Sequence, residues 1–394
     1  MLEKISHSFE AGRRGKPDEL DSGIASLIGA YLIGLNELAR FDLRVSGSSR
    51  GNRPLVKVSG EISDFVLQGS DIEDDVSRII LDRFNLVNRA DLRSDDVEID
   101  FNFKPQANSL ASNGFAGDSG NPIAVAYRSA PNHLPWERYL AVDIRDVIDG
   151  IFHSGGIVPG RLARHSGVAE LKGLRADGKV SVEALYAGCR LESLNRITLA
   201  VEHEPTLTLN RLKDDLGRLV SAYLGLLAKQ HDCSFGNPVI EVNGAGEWHR
   251  GGWEVDEGSR EAKPYRDGFA SYGIQEDSFS GEDPTKPSGT GTFIARYIAV
   301  QVVGNHLADF ARVALSYTIG KEDVGLNIVT GGTGSIPQDE LERVMRSNTP
   351  LRIKDAIKSF GLRNPRLYEQ IVAGSDYFHS SGLPWNAVKA IGCG

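Results

Sequence analysis

Cysteine is scarce in this chain, and the few cysteines lie far apart. They are Cys189, Cys233 and Cys393, and none belongs to a Cys-x-x-Cys pair. A sparse, odd count without close pairs gives no support for a disulfide framework or a thiolate zinc site. It is typical of free thiols in a reducing compartment. We therefore expect all of the cysteines to be free.

Long apolar runs and clusters of basic residues are also missing. No apolar stretch approaches the roughly 18 residues needed to span a bilayer. Residues 1–7 contain no apolar signal core. The formal net charge is −9, and no run of lysine and arginine occurs, which argues against a nucleic-acid partner. We expect a cytoplasmic protein that binds neither a membrane nor nucleic acid.

The signatures of several enzyme classes are absent as well. The nine histidines are scattered, and no His-Glu-x-x-His motif is present, so the sequence indicates no transition-metal site. A Gly-x-Ser-x-Gly elbow and a Walker A loop are missing too. Any chemistry must therefore depend on residues outside these motifs.

Glycine, in contrast, is abundant. The chain has 44 glycines, and they concentrate in loops at 45–53, 113–121, 243–258 and 280–291. Such loops are either plain surface loops or segments that approach a ligand closely. The length of 394 residues allows two or three domains.

Hydrophobic periodicity between these loops predicts a mixed fold. Helical spacing of apolar residues covers 20–35, 212–227 and 292–311. Strand patterns cover 97–103, 179–186, 197–201, 313–319 and 326–329. Long helices that alternate with groups of strands indicate an α+β fold in which helices cover sheets. Clusters of Gly, Asn and Pro suggest boundaries near 115 and 240.

Three segments contain residues suited to chemistry. Residues 10–18, directly before the first helix, place Arg13, Arg14 and Lys16 beside its start, where a phosphate would be favoured. Asp18 follows and either caps the helix or holds Mg²⁺ through its carboxylate. In residues 114–120, glycines flank Asp118 in what is either an exposed carboxylate or an ordinary turn. Residues 278–291 form a Gly/Ser-rich, anion-friendly loop with one lysine, Lys286.

Taken in order, these segments resemble the S-adenosylmethionine synthetase (methionine adenosyltransferase) family. Residues 279–286 read F-S-G-E-D-P-T-K where the family has F-S-G-K-D-P-S/T-K, and the match continues without a gap to S-Y-T-I-G at 316–320. Weaker matches lie at 15–19 (G-H-P-D-K in the family), 117–120 (G-D-Q-G), 177–179, 243–248 and 384–385. Each motif is weak alone, but the ordered set covers nearly the whole chain.

The resemblance implies both a fold and a reaction. The fold would be three similar α+β domains around a pseudo-threefold axis, which we predict at 1–115, 116–240 and 241–394. The assembly would be a homodimer or a dimer of dimers with active sites between subunits. The sulfur of methionine would attack C5′ of ATP and expel triphosphate, with Mg²⁺ as cofactor. The protein would position the reactants and stabilise charge.

The resemblance also implies roles for individual residues. It assigns catalysis to Lys16, Lys179, Lys263, Lys286 and Asp118. It assigns substrate binding to Glu10, Glu61, Trp248, Asp256 and Ile319. Trp248 would stack on adenine, and Ile319 would line the adenine pocket. Burial in the protein core is the alternative for each of these two residues.

The phosphate half of the implied site departs from the family. Lys16 replaces a His, Glu19 a Lys, Ala262 an Arg, Glu282 a Lys, and Ser288 a Mg²⁺-binding Asp. Exchanging two lysines for glutamates changes the local charge by about four units, which should weaken phosphate binding. We expect metal ligands at Asp18 and Glu282, and compensating charge from Arg13, Arg14 or Arg260.

Arg44 stands where the family has a glutamate that helps to bind an activating potassium ion. A guanidinium carries a permanent positive charge of its own. We therefore predict that Arg44 substitutes for the ion, holds carboxylates such as Glu10 or Asp118, and makes potassium unnecessary. A surface strand residue is the alternative.

Three functions remain open from the sequence. The first is synthesis of S-adenosylmethionine from ATP and methionine. The second is a diverged enzyme that acts on S-adenosylmethionine or uses another nucleophile. The third is a non-catalytic nucleotide-binding or partner subunit. The retained Trp248, Asp256 and Lys286 favour an enzyme, whereas the lost cations favour the other two.

Overall fold

The computed structural model describes residues 4–51, 53–68, 71–106, 116–259, 264–273, 278–374 and 376–391. The strands are β1 Lys4–Gly12, β2 Phe41–Arg50, β3 Arg53–Ser63, β4 Glu98–Gln106, β5 Ile123–Tyr127, β6 Leu174–Ala187, β7 Arg190–His203, β8 Val239–Val242, β9 Phe310–Ser316 and β10 Gly325–Val329. The helices are α1 Pro17–Leu35, α2 Asp64–Leu67, α3 Ile72–Asn88, α4 Trp136–His153, α5 Gly160–Ser166, α6 Leu209–His231, α7 Pro264–Asp267, α8 Pro287–Gly304, α9 Gln338–Asn348, α10 Ile353–Phe360 and α11 Pro365–Gly374.

The described strands form three small sheets, and a long helix packs on each. Their orders are β1-β6-β7-β8, β2-β3-β4 and β10-β9-β5. Helix α4 packs on the first sheet, α1 on the second and α8 on the third. Buried and more exposed residues alternate along β2 and β6, because successive side chains of a strand point to opposite faces. The α+β class predicted from the sequence is confirmed.

Sheet pairing crosses the predicted domain boundaries. Strand β1 pairs antiparallel with β6, and β5 pairs antiparallel with β9. Two sheets thus join strands from distant parts of the chain. The division at 115 and 240, and the pseudo-threefold arrangement, stay predictions.

Helices α1 and α8 are central to the packing. Of the 19 residues of α1, 15 are buried, and 16 of the 18 residues of α8 are buried. Each helix has proline at its first position and a lysine, Lys16 or Lys286, in extended conformation at its N-cap. Proline suits this position because its fixed φ matches the helix and no backbone N–H is lost there. Both lysines therefore lie at the ends of buried helices.

Most predicted elements are confirmed, and two predictions are wrong. The helix predicted over 292–311 ends at Gly304, and Phe310 begins β9. His306 has a φ of 60°, which breaks the helix, while the apolar pattern continues into the strand. Of the two roles left open for Asp18, capping of α1 is wrong, because the N-cap is Lys16 and no side chain makes a cap bond.

No helix in the described parts of the chain is both long and apolar enough to cross a membrane.

Candidate active site

The first group of candidate residues surrounds the start of α1. The ammonium of Lys16 lies 2.8 Å from Asp18 Oδ2, and Asp18 Oδ1 accepts the backbone N–H of Ser259 at 3.2 Å. Across the β1–β6 pair, Lys179 Nζ lies 2.9 Å from Glu10 Oε2. Two lysine–carboxylate pairs thus lie near a helix N-terminus. We call these four residues, Glu10, Lys16, Asp18 and Lys179, the α1 group.

The segment 243–259 lies beside the α1 group. Its backbone is tied to the first sheet, because the carbonyl of Trp248 accepts the N–H of His203 at 2.9 Å. Asp177, two residues before Lys179, accepts the N–H of Gly252 at 2.7 Å. Burial raises the pKa of Asp177 above its ordinary value, and hydrogen bonds from Gly252 and Gly178 partly oppose this shift.

The side chains of this segment suited to substrate contact are accessible. The indole of Trp248 is half-buried and donates to the carbonyl of Arg250 at 2.7 Å. Asp256 is exposed. Trp248 is therefore not a core residue.

The second group lies where the 281–288 loop meets β2. The backbone N–H of Leu43 donates to the carbonyl of Gly281 at 3.0 Å, and the backbone N–H of Asp283 donates to the carbonyl of Phe41 at 2.9 Å. This pairing brings the ammonium of Lys286 to 2.5 Å from Asp42 Oδ2. Arg44 also pairs with Asp42. The α8 group, as we call it, consists of Asp42, Arg44, Glu282, Lys286 and Ser288.

Glu282 is the most enclosed carboxylate of the α8 group. It is 8% exposed, accepts the hydroxyl of Ser288, and lies 3.8 Å from Lys286 Nζ. Burial would lower the pKa of Lys286, but the charges of Glu282 and Asp42 outweigh burial and raise it above the ordinary value. Lys286 is therefore a cation at neutral pH.

The remaining candidates lie around the α8 group. Gly117, next to the exposed Asp118, donates its N–H to the carbonyl of Thr285 at 3.0 Å. Ile319 is 44% exposed, and its N–H donates to Ser119 Oγ at 3.0 Å. Glu61 is exposed and pairs in register with Asp42. Ile319 is thus not buried in the strand core.

Three other candidates, Arg260, Ala262 and Lys263, lie outside the described residues.

The structure gives partners for three of the arginines singled out from the sequence. Arg44 pairs with Asp42, a carboxylate that the sequence did not single out, and Glu10 pairs with Lys179. Arg13 is fully buried and lies 2.7 Å from Asp149 Oδ1. Arg14 lies 3.2 Å from the other oxygen of Asp149. Arg13 is enclosed beside Asp149, whereas Arg14 is 17% exposed, and the compensating phosphate charge suggested by the sequence stays a prediction.

The charge of Glu19 is neutralised inside the protein. Its carboxylate lies 2.7 Å from the guanidinium of Arg266, and both side chains are largely buried. Burial would lower the pKa of Arg266, but the charges of Glu19 and Asp267 outweigh burial and raise this pKa above its ordinary value. Glu19 is therefore an ion-paired carboxylate, which the sequence did not predict.

Sequence reasoning missed Asp42 and Arg266. Strand alternation contained a signal for Asp42, since it shares a strand face with the singled-out Arg44. No local signal pointed to Arg266, because its partner Glu19 is 247 positions away.

The carboxylates present fit Mg²⁺ only with help from a ligand. Within the described ranges, no cluster of three or more His, Cys, Asp or Glu side chains is able to hold a metal. Asp18 and Glu282 each offer one carboxylate in a different group. Mg²⁺ is commonly bound by one or two carboxylates together with substrate phosphates and water. The residues fit that mode and not a cage made of protein alone.

Comparison with known proteins gives one family. Residues 251–387 match the family model for the C-terminal domain of S-adenosylmethionine synthetase. The chain is 28% identical over 284 residues to an S-adenosylmethionine synthase of Aquifex aeolicus, covering 72% of this chain and 70% of that relative. It is 29% identical over 286 residues to one of Lacticaseibacillus casei, covering 70% and 66%. The match thus spans about two thirds of the length of these curated relatives.

Proposed function

Because this chain is a divergent member of the S-adenosylmethionine synthetase family, we propose that it makes S-adenosylmethionine from ATP and methionine. A sulfur lone pair of methionine forms the bond to C5′ of ATP. The bond from C5′ to the phosphate oxygen breaks, and its electron pair leaves with triphosphate. The product is a sulfonium, and no external oxidant or reductant is needed.

The observation that carries this proposal is the pair of lysines at the N-termini of α1 and α8. Lys16 and Lys286 each precede a proline that begins a buried helix. The free N–H groups and the dipole of a helix N-terminus favour anions, and a lysine there adds a full positive charge. Two such sites suit a triphosphate, whose leaving requires stabilised negative charge.

The remaining side chains have roles in binding and orientation. Trp248 stacks on the adenine, with Ile319 beside it, and Asp256 and Glu61 bind the methionine end. Lys179 and, by resemblance, Lys263 add charge to the phosphate region, while Glu10 orients Lys179 across their 2.9 Å contact. Asp118 lies exposed beside the α8 group and contributes a carboxylate from the glycine-rich turn.

The metal would be held by Asp18 and Glu282 together with phosphate oxygens. Mg²⁺, when bound, supplies neutralisation of phosphate charge. Glu282 takes the place of the aspartate that Ser288 replaces, and the Ser288 hydroxyl orients it.

Two chains form each site in this proposal. The α1 group lies on the first sheet and α1, whereas the α8 group lies on the second sheet and α8. A homodimer that brings the α1 group of one chain to the α8 group of the other would complete the constellation. Three domains around a pseudo-threefold axis, one for each sheet and its helix, are part of the same proposal.

The test is mass spectrometry of products formed from ATP, methionine and Mg²⁺ by the purified protein. We expect S-adenosylmethionine and a rate that falls about 100-fold in Lys286→Met, because a preorganised cation is lost. Lys358→Met, an exposed lysine of α10, is the matched control and should keep full activity. Absence of S-adenosylmethionine under these conditions would refute the proposed reaction.

A second candidate is a diverged enzyme that uses S-adenosylmethionine or another nucleophile. The observation that favours it is the Glu282–Ser288 pair, which replaces a lysine and an aspartate of the family. The same experiment with S-adenosylmethionine as substrate, or with other thioethers and amines in place of methionine, separates the two. A non-catalytic nucleotide-binding subunit would give no product in any of these reactions.

A further inference from the structure

Trp253 is a buried tryptophan in the segment that bears Trp248 and Asp256. It is 4% exposed, and its ring stacks on Phe84 of α3 with 5.0 Å between centroids. Its indole N–H donates to Asp21 Oδ1 of α1 at 3.0 Å. The tryptophan is thus fixed by stacking on one helix and by a hydrogen bond to another.

Asp21 connects three parts of the candidate site. It is fully buried, and its second oxygen accepts the N–H of Gly47 in β2 at 2.8 Å. The carbonyl of Gly47 in turn accepts the N–H of Gly258 at 2.9 Å. One carboxyl group therefore links α1, β2 and both ends of residues 253–258.

The two glycines are needed for this close approach. A Cβ at Gly47 would lie 2.0 Å from the indole of Trp253, and a Cβ at Gly258 would lie 2.2 Å from Asp21 Oδ2. Non-bonded atoms do not approach each other this closely, so a side chain at either glycine would push the segment away. The local sequence is therefore adapted to the contact.

Packing alone does not hold this segment. Residues 251–254 form one wall of an open cleft of about 730 Å³. Phe84, Phe152 and Leu171 are among its other lining residues. The stacking of Trp253 on Phe84 and the hydrogen bonds to Asp21 and Gly47 therefore act together to position residues 253–258.

We propose that Asp21 is a positioning residue for the substrate-binding segment. Through Trp253 and Gly47 it holds residues 253–259 against α1, one turn from Asp18. Asp18 itself accepts the N–H of Ser259, so two residues of α1 form hydrogen bonds to the segment. This fixes Asp256 in the place where it meets the amino acid substrate, a role that depends on the proposed function.

The test compares Trp253→Phe and Asp21→Asn with Ser22→Ala. Phenylalanine keeps an aromatic ring for Phe84 but has no N–H for Asp21. Asparagine replaces one of the two acceptor oxygens of Asp21 with an amide N–H group, which cannot accept from Trp253 or Gly47. Ser22 is the matched control, because it is buried on α1 and its hydroxyl has no hydrogen-bond partner among the described residues.

Two measurements are made on each variant. One is the separate determination of kcat and KM for methionine. We expect KM to rise about tenfold in Trp253→Phe, with kcat much less changed, because one buried hydrogen bond is lost. The other is cleavage of the folded protein by a glutamate-specific protease at the exposed Glu254 and Glu257. Cleavage should be about tenfold faster than in Ser22→Ala.

The two readouts separate failure of this inference from failure of the proposed function. If the protein makes no S-adenosylmethionine, faster cleavage of Trp253→Phe still supports the positioning role. If Trp253→Phe matches Ser22→Ala in both cleavage and KM, the inference is overturned even where the enzyme is active. Trp253→Phe is the decisive variant should Asp21→Asn not fold.

Discussion

At the scale of single residues, Trp248 differs from the other tryptophans in its accessibility. Trp136, Trp253 and Trp385 are buried, whereas Trp248 is half-buried at the edge of a glycine-rich segment. An accessible indole offers its flat surface to a nucleobase, and such stacking contributes about 1–3 kcal/mol per base.

Trp248→Ala should weaken binding of a non-hydrolysable ATP analogue by about 1–3 kcal/mol, because the stacking surface is removed. Isothermal titration calorimetry measures the change. Trp248→Phe is the control and should retain most of the affinity, because a smaller ring still stacks. Equal affinity of the alanine variant and the unmodified protein, with unchanged circular dichroism, would rule out the stacking role.

Arg44 supplies the second prediction at this scale. Its guanidinium pairs with Asp42, which also receives Lys286, so a fixed cation already neutralises this carboxylate. Initial rates should therefore change little when potassium is replaced by tetramethylammonium at constant ionic strength. Arg44→Glu should create a dependence on potassium.

The control for this experiment is Arg50→Glu, a charge reversal at the exposed end of the same strand. It should leave the response to potassium unchanged. Strong activation of the unmodified protein by potassium, and not by other monovalent cations, would show that Arg44 does not substitute for the ion.

At the scale of elements, a buried ion cluster ties α4 to the turn between β1 and α1. Asp149 of α4 is 1% exposed and lies 2.7 Å from Arg13 and 3.2 Å from Arg14. Burial would raise the pKa of Asp149, but Arg13, Arg14 and Arg145 outweigh it and hold the pKa below its ordinary value. This cluster positions the residues directly before Lys16.

Asp149→Asn should lower the free energy of unfolding by about 3–5 kcal/mol, because buried Arg13 loses its partner charge. Urea denaturation at neutral pH measures the loss. Asp355→Asn is the control, since the side chains of Asp355 and its partner Arg352 are 42% and 55% exposed and their pair should contribute less than about 1 kcal/mol. Equal losses in both variants would contradict the buried-pair interpretation.

The same aspartate gives a pH dependence with a defined sign. A carboxyl whose folded pKa is depressed stabilises the protein above its unfolded pKa, and this contribution is lost as pH falls through the folded value. The ordinary value is 3.8, so the loss should occur below about pH 4. In Asp149→Asn, this loss of stability below about pH 4 should be absent. The same loss of stability in the variant would exclude Asp149 as its cause.

At the scale of the whole molecule, the α1 group and the α8 group include residues from different sheets. The first sheet carries Glu10 and Lys179, and the second carries Asp42 and Arg44. If sites form between subunits, the protein must be at least a dimer at working concentration. Light scattering at micromolar concentration should give twice the chain mass of 42.8 kDa or more. A monomeric mass together with full activity would contradict a shared site.

The sequence by itself determined part of the elements and the order of the motifs. Periodicity located α1, α6 and five of the ten described strands, because apolar spacing follows directly from helix and strand geometry. Residues 279–286, next to the lysine-proline start of α8, were found from sequence because they are contiguous. The same applies to Lys16 at the start of α1.

Only the tertiary structure decided which charges remain free for chemistry. Arg13 and Arg14 look like phosphate ligands in the sequence, yet both pair with Asp149, more than a hundred residues away. Glu19 stands where the family has a lysine, yet its carboxylate pairs with Arg266, which lies 247 positions away in the sequence. Trp253 and Asp21 meet across 232 positions. The strength of a charge depends on its burial and neighbours, and folding brings those neighbours together from parts of the chain that no local pattern connects.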